Sequence, residues 1–155
     1  IPKRLRIKRG LTLIYSMQLH GSSLSTFYER STAGYGNAQI LVIRDTDDNI
    51  FGAFTSEPFR KNSGFYGNGE TFLWKIEPSI EKTNRLKLYL WKQTNYFFIN
   101  STNDYVSVGS GGGKFGLWFD QQMLHGRSQV CETFRNDVLS TSEEFQILDI
   151  ELWAF

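Results

Sequence analysis

Apolar and polar residues alternate along much of this chain in short runs, the spacing of strands that bury one face. LTLIYS (11–16) opens the series, and QILVIR (39–44) is almost continuously apolar. IFGAFTS (50–56), ETFLWKI (70–76), LKLYLWK (86–92), YFFIN (96–100), YVSVG (105–109) and FGLWF (115–119) follow, with turn signals between them. Many short strands at this interval predict a mainly β chain, an antiparallel sandwich or barrel. A single stretch has helical spacing: Leu24, Phe27 and Tyr28 fall at i, i+3 and i+4 behind Ser22 or Ser23 as a cap, and Gly34 and Gly36 end it. DTDDN (45–49) reads as a hairpin turn whose three aspartates face water. Pro58 introduces a Gly/Asn-rich loop over 59–69, and residues 120–144 look polar and irregular, with one helical turn expected at Ser140–Glu143. EFQILDIELWAF (144–155) is apolar on both sides, which predicts a central strand covered on both faces. Residues 1–10, IPKRLRIKRG, are expected to be a basic leader into one domain over 11–155.

Five glycines fall from Gly109 to Gly116, where the runs at 105 and 115 meet. Gly111, Gly113 and Gly116 fit G-x-G-x-x-G, but a phosphate cradle needs a helix after the glycines so that free N–H groups meet the anion. FGLWF follows instead, with strand chemistry. A Walker loop fails as well, because Val108 stands at its first glycine and Phe115 at its Ser/Thr. The glycines therefore predict a structural turn, able to form part of a docking surface.

Composition narrows the function classes. The chain has 155 residues, enough for one proper core, and 15% of them are aromatic. A net charge of +1 is not the basic footprint of a nucleic-acid binder. The lone cysteine, Cys131, rules out an internal disulfide framework and predicts a reducing, intracellular compartment. With two histidines and that cysteine, the usual structural zinc sites cannot be assembled. Asp45, Asp47 and Asn49 imitate the start of a calcium loop, but Ile50 and Ser56 occupy its glycine and glutamate positions. No cofactor or metal is expected.

Some candidate chemistry remains. Cys131, six residues after His125 and near Arg127, is a candidate thiol nucleophile if either cation reaches it. Asp149 and Glu151 are two apart and are expected to share a strand face with Ile147 and Trp153. With Glu70 opposite, Glu151 could form an acid–base pair of the hydrolase kind. The bland alternative for each is a buried small thiol and carboxylates facing solvent or backbone. Exposed Trp74, Trp91, Trp118 and Trp153 on one face would instead suit a sugar.

Six blocks in order resemble a TLDc domain, the module of the oxidation-resistance proteins and their nuclear-receptor-coactivator relative. They are YSMQLHGSSLSTFY (15–28), LVIRDTDDNIFGAFTSEPF (41–59), FYGNGETFLW (65–74), GSGGGKFGLWFD (109–120), HGRSQVCETFRN (125–136) and DIELWAF (149–155). The stretch from 77 to 98 is longer than the family usually has there. The resemblance implies a β-sandwich of two antiparallel sheets with short flanking helices. It implies resistance to oxidative stress in the cytoplasm, nucleus or mitochondria, without an established reaction. It also implies binding to the peripheral sector of the vacuolar proton-pumping ATPase; the chain itself is expected to be a monomer. By matching motifs, partner-binding residues would be Glu57, Glu70, Asp149 and Glu151, presented by Gly67, Gly69, Gly111, Gly112 and Gly113.

Overall fold

The computed structural model describes residues 10–78 and 83–155, so nearly all of the basic leader and the segment 79–82 lie outside the described residues. Among the described residues ten strands run in chain order: β1 (Thr12–Ser16), β2 (Gln39–Asp45), β3 (Ile50–Thr55), β4 (Phe72–Glu77), β5 (Arg85–Tyr89), β6 (Ile99–Ser101), β7 (Tyr105–Gly111), β8 (Lys114–Asp120), β9 (His125–Arg127) and β10 (Glu144–Ala154). Two short helices, α1 (Met17–His20) and α2 (Leu24–Ser31), lie between β1 and β2. Ser23 caps α2 through the Thr26 N–H, and Leu24, Phe27 and Tyr28 are its buried stripe.

All the pairings are antiparallel, in the order β5-β4-β3-β2-β10-β9-β8-β7-β6, with β1 beside β10. The path folds into two sheets through β10, which changes partners along its length. Its first residues, Glu144–Gln146, pair with β9, while Glu151–Ala154 pair with β1 on that side and with β2 on the other. The sheets face each other across a continuous core. Phe51 of β3 meets Phe145 of β10 at 4.9 Å between ring centroids, and Phe27 of α2 meets Phe119 of β8 at 5.9 Å. Edge-to-face contacts of this sort stabilise a core beyond the area they bury.

Five expectations need correcting. The strand β10 is central, but only one face is buried, and Leu148 on it is 46% exposed. Its register with β2 slips between Ile147 and Asp149, so an extra residue turns the face over. Ile147 therefore points into the core while Asp149, Glu151 and Trp153 share the opposite face. Residues 140–143 form bends with no helical turn, and the short strand β9 lies inside the stretch that looked irregular. Asp45 does not face water. It is fully buried and accepts from the Asp47 N–H (3.0 Å), the Asn49 N–H (2.9 Å), Asn49 Nδ2 (3.0 Å) and the Ser140 hydroxyl.

Candidate functional site

The hairpin β7–β8 closes through Gly112 and Gly113, at φ 65° and 75°. Two successive left-handed residues make the tight turn whose twist matches the flanking strands, and glycine is the residue suited to it. The G-x-G-x-x-G spacing thus marks a hairpin tip between strands. Beside it lies a groove of about 520 Å³, lined by Thr94, Gly111, Gly112, Lys114, Glu132 and Arg135 among others.

The second glycine motif, Gly67 to Glu70, precedes β4 and is braced against that hairpin. A Cβ on Gly69 would come within 2.2 Å of the Trp91 ring, so only glycine lets the indole lie flat on the loop. Trp91 Nε1 donates to the Asn95 carbonyl at 2.8 Å, and Asn95 Nδ2 donates to the Ser110 carbonyl at 3.1 Å. The buried Thr133 hydroxyl accepts the Ser110 N–H at 3.0 Å and sits 2.8 Å from Asn95 Oδ1. Gly67, Gly69 and Glu70 on one side and Gly111–Gly113 on the other are thereby held as one surface, with Glu70 half-buried and its N–H on Asn68 Oδ1 at 2.9 Å. Glu57, also half-buried, pairs with Arg60 at 3.0 Å. That guanidinium lies 4.1 Å above the Tyr66 ring, and the Tyr66 hydroxyl shares a hydrogen bond with Ser101. Burial pushes the Tyr66 phenol above its ordinary pKa. Asn95 and Thr133 carry no signal in the sequence, and Trp91 reads there as the end of a strand run and a possible sugar platform. All three sit in loops, and the bonds that matter span up to 38 residues.

Cys131 is buried between the backbones of Gly109 and Gly116, where added Cβ atoms would be 2.9 and 3.0 Å from Sγ. Its thiol lies 3.2 Å from Asn136 Oδ1, and burial pushes its pKa up, opposite to the direction a nucleophilic thiolate needs. The two candidate activators, His125 and Arg127, have other partners, while Lys114 and Arg135 line the same groove as Cys131. His125 sits against Trp118 and Gln146, and Arg127 binds Glu144 at 2.6 Å.

Asp149 and Glu151 line a different groove, of about 340 Å³, with Gln18, Val42, Arg44 and Ile50. Glu151 accepts Trp153 Nε1 at 2.9 Å, whereas Asp149 Oδ1 is buried without a hydrogen-bond partner. Burial, then the charge of Glu151, raise the Asp149 pKa against the pull of the Ile150 N–H and Arg44. Glu70 does not line this groove, so the structure does not assemble the Glu70/Glu151 dyad there. The tryptophans do not share one platform either. Trp74 is buried, Trp91 covers Gly69, and Trp118 stacks near Tyr105 on the other sheet. Among the described residues, no three His, Cys, Asp or Glu side chains converge as a metal site. No helix there is long and apolar enough to cross a membrane.

The fold, the braced glycine loops and the order of their motifs meet in one comparison: residues 1–155 match the TLDc domain. The chain belongs to the TLDc family. This TLDc chain is 46% identical over 144 residues to Oxidation resistance protein 1 of Bos taurus, covering 93% of the chain and 16% of that protein. It is 45% identical over 143 residues to Nuclear receptor coactivator 7 of Gallus gallus, 92% of the chain and 15% of that protein. The Homo sapiens Nuclear receptor coactivator 7 is 44% identical over 143 residues, 92% and 14%. The TLDc chain thus spans about one-sixth of the length of the relatives it matches.

Proposed function

We propose that this TLDc chain is a non-enzymatic, monomeric interaction domain that supports resistance to oxidative stress inside the cell. On this reading it docks on the peripheral sector of the vacuolar proton-pumping ATPase and alters the pump's assembly or activity. The stress role draws support from near-full coverage by relatives named for oxidation resistance. The observation that carries a docking role is the brace of Trp91, Asn95 and Thr133, which holds two glycine motifs, some forty residues apart, as one preformed surface. Preformed loops lose little conformational entropy on association, so such a surface favours binding. The partly exposed carboxylates Glu57 and Glu70 would supply charge-assisted contacts at its margin.

The test mixes the purified chain with the isolated peripheral sector and follows co-sedimentation and ATPase rate. Binding and a changed rate are expected, and a Glu57→Ala/Glu70→Ala variant should bind about tenfold more weakly, the scale of one or two lost polar contacts. If the chain neither co-sediments nor alters the rate at micromolar concentration, the pump is not its partner.

A further inference from the structure

The outer face of the sheet β1-β10-β2-β3-β4-β5 is apolar across most of its width, and the strand registers place its side chains in rows. Ile40 lies opposite Phe54 and Phe54 opposite Phe72; Gly52 lies opposite Val42 and Trp74, and Trp74 opposite Leu88; Ile76 lies opposite Leu86. Phe54, Phe72 and Trp74 form a hydrophobic cluster separate from the core between the sheets. Phe54 and Phe72 stack at 5.0 Å with 8° between the rings. Leu86 and Leu88 remain 57% and 45% exposed. Between these side chains runs a groove of about 370 Å³, lined among the described residues by Ile40, Val42, Phe54, Phe72, Trp74, Leu86 and Leu88, none of them charged. A Cβ on Gly52 would meet the Leu41 carbonyl oxygen at 1.8 Å and the Trp74 ring at 3.1 Å, so glycine there lets β2, β3 and the indole approach closely.

Size and charge choose the occupant. The groove crosses four strands, β2 to β5, and so spans three strand spacings, about 14 Å. That is the length of roughly nine or ten helical residues. An added strand would pair with β5 alone and leave the β2 end open, whereas a helix laid across the strands covers the whole groove. One strand spacing beyond β2 lies β10, where Glu151 stands opposite Val42 and Asp149 opposite Arg44. Asp149 has one oxygen buried without a hydrogen-bond partner, and Arg44 across from it is exposed to solvent. The apolar track therefore ends in two adjacent carboxylates.

We propose that this face binds an amphipathic helix of a partner protein. Its apolar i, i+3/i+4, i+7 stripe lies across β2–β5, and a lysine or arginine one turn beyond the stripe meets Asp149 and Glu151. This groove shares no lining residue with the glycine-loop groove, and it takes Asp149 and Glu151 from the set that the resemblance implies for the pump, so a helix that fails to bind leaves the glycine-loop docking untouched.

The probe is a lactam-stapled 16-residue helical peptide with leucines at i, i+4 and i+7 and an arginine at i+11. It is titrated into the full 155-residue chain while tryptophan fluorescence is recorded. Saturable binding in the micromolar range is expected. Replacing the peptide arginine by glutamine, or using Asp149→Asn/Glu151→Gln protein, should each weaken binding about fivefold or more. The two changes combined should add little, because they remove the same contact. Leu86→Glu/Leu88→Glu, at exposed positions that leave the core intact, should abolish binding with an unchanged circular-dichroism spectrum. The proposal is overturned if the peptide fails to bind, or if the leucine variant binds it equally well. It is also overturned if the charge changes have no effect, or if sedimentation shows the chain burying this face in a dimer with Leu86→Glu/Leu88→Glu restoring the monomer.

Discussion

Asp45 accepts four hydrogen bonds in full burial: two from the backbone of its own turn, one from Asn49 and one from Ser140, ninety-five residues away. Asp45→Ala strands those donors, and with hydrogen bonds to charged groups worth about 1.5–3 kcal/mol each in net terms, a loss of about 3 kcal/mol is expected. Thermal unfolding should fall by roughly 6–12 °C for a chain of this size. Asp149 has the opposite sign. Its folded-state pKa is raised, so the folded protein holds this proton more tightly than the unfolded chain does. The resulting stability is present below the ordinary aspartate range and is lost as pH rises through the raised value. Asp149→Asn should therefore raise the melting temperature at pH 7, and the gain should shrink as the pH falls toward 4. Stability measured across that range checks it; an unchanged or lower melting temperature at pH 7 would show the carboxylate to be well accommodated. Cys131 should alkylate far more slowly in the native chain than in urea, and without the low-pH rate plateau of an activated thiol. Rate against pH decides between a buried structural thiol and a reactive one.

At the level of elements, the β7–β8 hairpin separates turn chemistry from close packing. Gly112 turns at φ 65°, a region asparagine also tolerates, and a Cβ there would meet only the Glu132 carboxylate at an ordinary 3.4 Å, so Gly112→Asn should fold with little change in stability. Gly69 has ordinary backbone torsions but lies under an indole, and Gly69→Ala must push Trp91 aside. That substitution should cost about 1–3 kcal/mol, as overpacking does, and should loosen the Asn95 brace. Denaturant unfolding of the two variants, with tryptophan fluorescence as the probe, distinguishes the cases. From sequence alone both residues read as loop glycines. Alternation made the strands legible, because burying one face of a sheet imposes a period of two on any chain. The same rule failed at β10, where one extra residue near Leu148 reversed the facing of everything after it. The short strand β9 was missed because three residues, His-Gly-Arg, hold too few positions to show a period.

For the whole molecule, the mainly β character, the single α2 stripe, the hairpin at 39–56 and the TLDc membership were all readable along the chain. Each follows from local patterning or from motif order, and both are written in one dimension. Folding alone decided which motifs share a surface. Trp91 and Asn95 join Gly67–Glu70 to Gly111–Gly113, while Asp149 and Glu151 end up on a different face beside an apolar groove. It also withdrew Cys131 from His125, though only six residues separate them, by turning the thiol in between two glycine backbones. The physical reason is common to all three. Side-chain periodicity reports whether a residue faces in or out, but neighbours across strands are set by register and bulges, which depend on contacts between residues far apart in the chain.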